Sequence, residues 1–383
     1  MVHTKLSPID IDSGIWPSNC LWPQPIEFND TSRLADLEPF YLGWQGLKWP
    51  RRTWFRLFNT YQHFQPFKLP DHYDLYVLSY HGEQIDFEWL ATLDSSKPVI
   101  LVSDSNLYDS KILPQNVRHV RWLVWHHFFD RMLTWFGSDL PTKNILYKAS
   151  AICHRITQSK IWTTTAMLEH LPEQDRLVAL GDWLIDKDIH DWESTGNIVL
   201  DDLTSIFKRR YLGRIMRFDS FTQQDNNHQT TTNPNSKSLN ECALHFTNES
   251  FHYSHMLVHD VETILPGPFL TEKTFKCLFS ATAFIPVGQF DTYNTLAKLG
   301  FVFDYGLDTV FDSEPQNMLR FEALVNFVRD LDKCSAQDLY ETTRPSSEYN
   351  ATIIRSGLFQ NRCKLENEKN LMHLQTALDE IHA

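Results

Sequence analysis

The chain of 383 residues carries 35 Lys and Arg against 48 Asp and Glu, a formal net charge of −13, with 42% apolar and 22% charged residues. This composition excludes a disordered chain, a collagen-like repeat and a polycationic nucleic-acid tail. The length exceeds what one hydrophobic core fills, so two domains are expected.

The opening MVHTKLSPIDIDSG has one Lys and no apolar block. No apolar run reaches the roughly 18 residues of a membrane span, so a soluble, cytoplasmic protein without membrane insertion is expected. Six scattered cysteines (Cys20, Cys153, Cys242, Cys277, Cys334 and Cys363) form no Cys-x-x-Cys pair and read as reduced thiols in or near the core. Three Asn-x-Ser/Thr triplets, one at Asn248-Glu249-Ser250, carry little weight without a secretory signal. The aromatic load of 12 Trp, 26 Phe and 13 Tyr predicts extensive aromatic packing, with some rings available to wall a ligand cleft.

Residues 1–70 are rich in Pro and Trp and read as irregular structure with one short helix. Alternation follows: YDLYVLSY (73–80), KPVILVSD (97–104) and VRHVRWLVW (117–125) read as strands, FEWLATL (87–93) and HHFFDRMLTWF (126–136) as helices. Such strands, each ending in polar residues, point to a parallel α/β sheet with its functional loops at the carboxyl ends. The expected boundary is near 140, giving an acceptor-side α/β domain over 1–140. A nucleotide-binding domain then spans 141–330, with strands at 143–153, 176–185, 282–288 and 301–306. Its expected helices are 156–171, 202–218, one opening at Thr271, and 292–300. The stretch 223–238 has no large apolar residue and reads as a mobile loop. Residues 318–331 and 369–381 have helical spacing, with polar turns between them, and residues 331–383 are expected to pack back on the first domain. The fold class expected is α/β, with two Rossmann-like doubly wound domains facing a cleft.

The sharpest chemistry lies at 260–288. Thr271 after a Pro-Gly-Pro loop is a good N-cap, and Lys273 and Lys276 occupy the first two turns of the helix that follows. Cations there oppose the helix macrodipole, a cost that a bound phosphate would offset. Glu272 beside them could accept hydrogen bonds from ribose hydroxyls. The alternative is a solvated first turn, with Glu272 as a favourable dipole partner.

The run Glu262-Thr, a loop, Phe-Leu-Thr-Glu272-Lys273-Thr-Phe-Lys276, then Ala-Phe-Ile-Pro-Val-Gly and Leu-Gly300-Phe, resembles the donor-binding half of GT-B-type glycosyltransferases. It is closest to the fucosyltransferase-like group and to related phage and bacterial sugar transferases. The resemblance covers roughly 245–325. It implies that Glu272 binds the nucleotide ribose, Lys273 approaches the diphosphate and Glu262 lies near the transferred sugar. Arg155 and Lys160, after the strand at 143–153, correspond to basic residues such enzymes often carry there.

The resemblance implies transfer of a sugar from a nucleoside-diphosphate sugar, the co-substrate, to an acceptor hydroxyl. No cofactor or metal is expected to be required, because the phosphate-facing cations can neutralise the leaving diphosphate. Candidates for an acceptor-side base at strand ends are His81, Glu83 and Asp104, with His126 and His127 behind them. The Asp-x-Asp pairs Asp10/Asp12, Asp186/Asp188 and Asp330/Asp332 provide a metal-dependent alternative, of which Asp186/Asp188 alone is suggestively placed. One acceptor to weigh is a hydroxylated base in phage DNA. Arg210, Arg214 and Arg217 would share one helix face, and Arg51 and Arg52 stand among aromatics that could stack on a displaced base. The net charge opposes this. A glycan or small-molecule acceptor is the alternative, and a non-catalytic nucleotide- or glycan-binding module is the rival from another class.

Overall fold

The computed structural model describes residues 26–28, 41–58, 69–80, 87–104, 113–184, 192, 194–214, 216, 236–249, 255–258, 261–264, 267–268, 270 and 271–382. The protein is α/β, built on two sheets that each contain four parallel strands. The chain forms two units. The first is Met1–Gly137, Met256–Pro266 and Gly357–Ala383, and the second is Ser138–His255 and Gly267–Ser356.

In the first unit, strands β1 (Ile26–Phe28), β2 (Thr53–Phe58), β3 (Leu75–Tyr80), β4 (Val99–Ser103) and β5 (Val117–Arg121) lie side by side in chain order. Strand β1 runs antiparallel and the rest parallel. Among the described strands the order of this sheet contains no switch point. Strand β2 corrects the expectation of irregular structure through residue 70. Its run Thr-Trp-Phe-Arg-Leu-Phe is β-branched and aromatic, and the prolines stop just before it, at Pro50. Helices α1 (Phe87–Ala91) and α2 (Trp125–Phe136) follow β3 and β5.

One face of the sheet offers Phe55, Leu75, Val77, Ile100, Val102 and Val120 to Tyr41, Trp44 and Trp122, with Leu374 and Leu378 of the C-terminal helix, Leu358–His382, closing the same core. The rings of Trp44 and Trp122 meet edge to face at 5.3 Å. Asn367 of that helix spends its whole amide on one residue: Oδ1 accepts the Leu123 N–H at 2.8 Å, and Nδ2 donates to the Leu123 carbonyl at 2.7 Å. Asn367→Ala leaves both buried backbone groups without these partners and is expected to cost about 2 kcal/mol. A lowered urea midpoint at unchanged slope checks it.

The second unit places β6 (Tyr147–Ile156), β7 (Arg176–Leu184), β8 (Cys242–Asn248) and β11 (Ala283–Val287) in the order β11-β8-β6-β7, all parallel. From the β7 edge the order is second, first, third, fourth. The winding direction thus reverses between β6 and β8, and open α/β sheets bind ligands at the carboxyl ends of such a switch point. The short strands β9 (His255–Val258) and β10 (Val261–Ile264) pair with each other. Pro286 is tolerated because β11 is an edge strand.

Helix α3 (Gln158–His170) is buried from Ser159 to Leu168, with the Trp162 indole donating to Thr204 Oγ1 at 2.9 Å. Helices α4 (Ile198–Arg210) and α5 (Lys237–Asn240) precede β8, and α6 (Glu272–Phe279) leads into β11. Then come α7 (Thr292–Lys298), α8 (Val310–Ser313), α9 (Asn317–Asp330) and α10 (Ala336–Arg355). Of residues 331–383, α10 belongs to the second unit and the C-terminal helix to the first.

Two expected elements differ. The helix expected over 202–218 stops at Arg210, because Gly213 turns into the left-handed region (φ 77°) and Met216 bridges to Leu180 of β7. The strand expected at 301–306 is absent. Asn350 of α10 takes both the N–H (2.7 Å) and the carbonyl (2.6 Å) of Val302, which a neighbouring strand would otherwise need. The rings there knot together instead, Phe303 stacking on Tyr293 at 4.7 Å. The stretch 223–238 falls outside the described residues up to 235.

Candidate functional site

The switch point is where the second unit gathers polar chemistry. Strand β6 ends at Ile156, and Thr157 opens α3 with Lys160 in its first turn. Strand β8 ends at Asn248, followed by Glu249. Helix α6 starts against Glu249, and Thr271 is its N-cap, its Oγ1 accepting the Lys273 N–H at 3.3 Å. Glu249 is 2% exposed. Its carboxylate accepts the Thr271 hydroxyl at 2.5 Å and the Thr274 hydroxyl at 2.6 Å. A fixed anion thus already faces the positive end of α6.

Lys160 and Lys276 are buried, at 5% and 8% exposure, whereas Lys273 is half-buried with Nζ 3.2 Å from Thr271 Oγ1. The Lys160 ammonium opposes the rise in the Cys153 thiol pKa that burial causes. Lys276 adds to the burial that pulls the His245 imidazole down to about 3. The Lys160 charge thus acts on Cys153 of β6 and the Lys276 charge on His245 of β8, the strands that flank the switch. Asn248 donates Nδ2 to the Ile152 carbonyl at 3.1 Å, but its buried Oδ1 has no hydrogen-bond partner. A buried acceptor without a partner, one residue before Glu249, calls for a donor that the neighbouring groups of the protein do not supply. The loop before α6 is held from below, since a Cβ on Gly267 would collide with the buried Gln289 side chain at the end of β11.

The expected site residues distribute unevenly. Thr271, Lys273, Lys276 and Lys160 lie in the second unit around the switch. Arg155 is on β6 and Glu272 opens α6, with side chains outside the described residues. Glu262 is on β10, in the first unit, its side chain likewise outside them. His81 and Glu83 fall outside the described residues altogether. Asp104 is half-buried just past β4, with its carbonyl accepting Arg121 Nε at 3.4 Å. His126 is 2% exposed, with Nδ1 3.1 Å from the Leu123 carbonyl, and His127 is half-buried on the same helix.

The basic helix face does not form. Arg210 ends α4, Arg214 lies beyond the turn, and Arg217 is outside the described residues. Arg210 is paired with Glu169 at 2.5 Å. The last-turn cations Lys208, Arg209 and Arg210 instead sit where the dipole of α4 favours them. At the other basic stretch, Arg51 and Arg52 are exposed, but Arg52 holds Asp74 through two hydrogen bonds. Of the aromatics in 48–56 expected to stack on a base, Trp54 and Phe55 are core residues at 3% and 1% exposure, and Trp49 is half-buried with its indole N–H donating to the Trp44 carbonyl at 2.8 Å.

Two residues of the site were not singled out from sequence: Glu249 and Asn248. Their signal was position, a carboxamide and a carboxylate directly after the buried strand ALHFTN. Among the described residues no group of three or more His, Cys, Asp or Glu side chains could hold a metal ion. Asp10, Asp12, Asp186 and Asp188 are outside them, and Asp330 pairs with Lys333. No helix among the described residues is long and apolar enough to cross a membrane. Neither family models nor curated protein sequences give a match to this chain.

Proposed function

We propose that the chain is a glycosyltransferase that binds a nucleoside-diphosphate sugar at the switch point of the second unit. The observation that carries this reading is the convergence of two helix starts, α3 and α6, on neighbouring strand ends with Lys160, Lys273 and the open Asn248 Oδ1. Helix starts and ammonium groups stabilise the charge that grows on a departing diphosphate. Because Glu249 already answers one positive end, the lysines carry most of the diphosphate's countercharge. The resemblance of 245–325 to fucosyltransferase-like enzymes supports the same placement, with Glu272 on the ribose.

The acceptor in this reading is a hydroxyl on a glycan or small molecule. Arg210 and Arg214 do not share one helix face, Trp54 and Phe55 are buried, and the net charge of −13 opposes DNA. A panel of nucleotide sugars read by thermal shift tests the proposal. A true donor at a hundredfold excess over Kd stabilises by about 2.7 kcal/mol. Lys273→Ala is expected to weaken that donor by roughly 10- to 100-fold with the unliganded melting temperature preserved, as loss of one charged hydrogen bond implies. No shift with any nucleoside diphosphate, or equal affinity in the variant, would sink the assignment.

A further inference from the structure

The C-terminal helix, Leu358–His382, has a second face with no use in the fold described so far. Its inner side buries Phe359, Cys363, Asn367, Leu374, Ala377 and Leu378. Its outer side exposes Leu358 at 52%, Leu365 at 57% and Met372 at 71%. These three stand at intervals of seven. On an α-helix they form one stripe about 21 Å long that drifts only about 20° per heptad, one of the two positions per heptad that a left-handed two-helix seam uses, with Arg362 and Lys369 at the other. Single exposed apolar residues need no explanation, but a heptad-spaced row does.

We infer that this stripe pairs with its own copy, joining two molecules through antiparallel C-terminal helices about a two-fold axis at Leu365. In that arrangement Leu365 meets Leu365 of the second copy, and Leu358 meets Met372 on either side. The layers between carry charge. Arg362 and Glu368, both exposed, lie three residues before and three after Leu365. The two-fold brings Arg362 of each copy to the level of Glu368 of the other. Lys369 shares that layer and is tied to Glu366 of its own helix at 3.5 Å. A parallel pairing would instead leave Arg362 of one copy about 9 Å along the seam from Glu368 of the other, beyond ion-pair contact. Charge thus selects the antiparallel dimer. Three apolar layers make a small interface, so the association is reversible and depends on concentration.

Sedimentation velocity on the full chain from about 1 to 200 µM, a range that brackets weak protein association, reads the proposal. The wild type is expected to move from monomer toward dimer over this range. Leu365→Glu puts two carboxylates face to face at the axis and is expected to weaken the dimer at least 30-fold, with far-UV circular dichroism and melting temperature unchanged because Leu365 is exposed. Glu368→Arg is expected to weaken it about tenfold. The double variant Arg362→Glu/Glu368→Arg, which exchanges the signs within each layer, is expected to return to within about threefold of wild type. A wild type that stays monomeric throughout overturns the proposal, as does a dimer indifferent to Leu365→Glu. A double variant no better than Glu368→Arg alone overturns the antiparallel two-fold.

Discussion

Replacing Arg320 with alanine is expected to destabilise the second unit by about 3–5 kcal/mol, the range for breaking a buried charged network. The guanidinium is 1% exposed, and its hydrogen bonds go mostly to backbone. Nε donates to the Gly288 carbonyl at 3.0 Å, and Nη1 donates to the carbonyls of Glu314 and Pro315 at 3.1 and 3.3 Å. Nη2 donates to Asn317 Oδ1 at 3.1 Å. The side chain thereby ties the end of β11 to the start of α9, and its charge also acts on the buried Asp312 carboxyl. Alanine removes all of these donors and leaves a cavity. Lysine keeps the charge but not the planar fork, so Arg320→Lys should recover only part of the loss. Urea unfolding followed by Trp fluorescence measures both; a loss under about 1 kcal/mol for alanine, less than one ordinary buried hydrogen-bond network is worth, would refute the role.

Asp312 gives the molecule a pH dependence whose sign can be stated in advance. Burial pushes its carboxyl up from 3.8 to about 7, against hydrogen bonds from the Tyr293 and Thr292 N–H groups; Asp291 adds to the rise and Arg320 opposes it. Those N–H groups reach Oδ2 at 2.8 Å and Oδ1 at 3.0 Å, so the carboxyl caps α7 from across the chain. Between pH 4 and 7 the folded protein holds a proton here that the unfolded chain has released. Stability from this group is therefore full below about pH 4 and is lost as pH rises through 7, by about 4 kcal/mol in all. Asp312→Asn, neutral at every pH, should be less stable than wild type at pH 4.5, where one backbone N–H faces its amide nitrogen. The difference should shrink or reverse by pH 8. Parallel stability curves for the two proteins across that range would show that Asp312 titrates as an ordinary carboxylate.

The buried parallel strands were legible because each is a short apolar run bounded by polar turns, as in KPVILVSD and TAFIPVG, and the cap at Thr271 was legible because its hydroxyl has a local job. Other elements were hidden by stronger local signals. The prolines of 1–50 masked β2, and Pro345 with its neighbouring Ser and Thr residues masked α10, a 20-residue helix. Its Thr343 and Ser347 hydroxyls bond carbonyls one turn back, so polar residues that read as a turn are satisfied within the helix. Asn350 explains the missing strand at 301–306, and its partner is 48 residues away. Strand order, and with it the switch point that gives Asn248 and Glu249 their position, depends on which strands pair, and no local pattern in the chain encodes that.

The return of the C-terminal helix to the first unit has a consequence for how the molecule comes into being. Leu374, Leu378 and Asn367 complete the packing around β2–β5, yet a ribosome adds Asn367 244 residues after its partner Leu123. The second unit closes on itself with Ser356, before any of them has been made. Vectorial synthesis thus reverses the order of the two units, and the strands made earlier wait longer for their core. A premature stop near residue 356 would spare the second unit and strike the first, whose strands lie upstream of the stop.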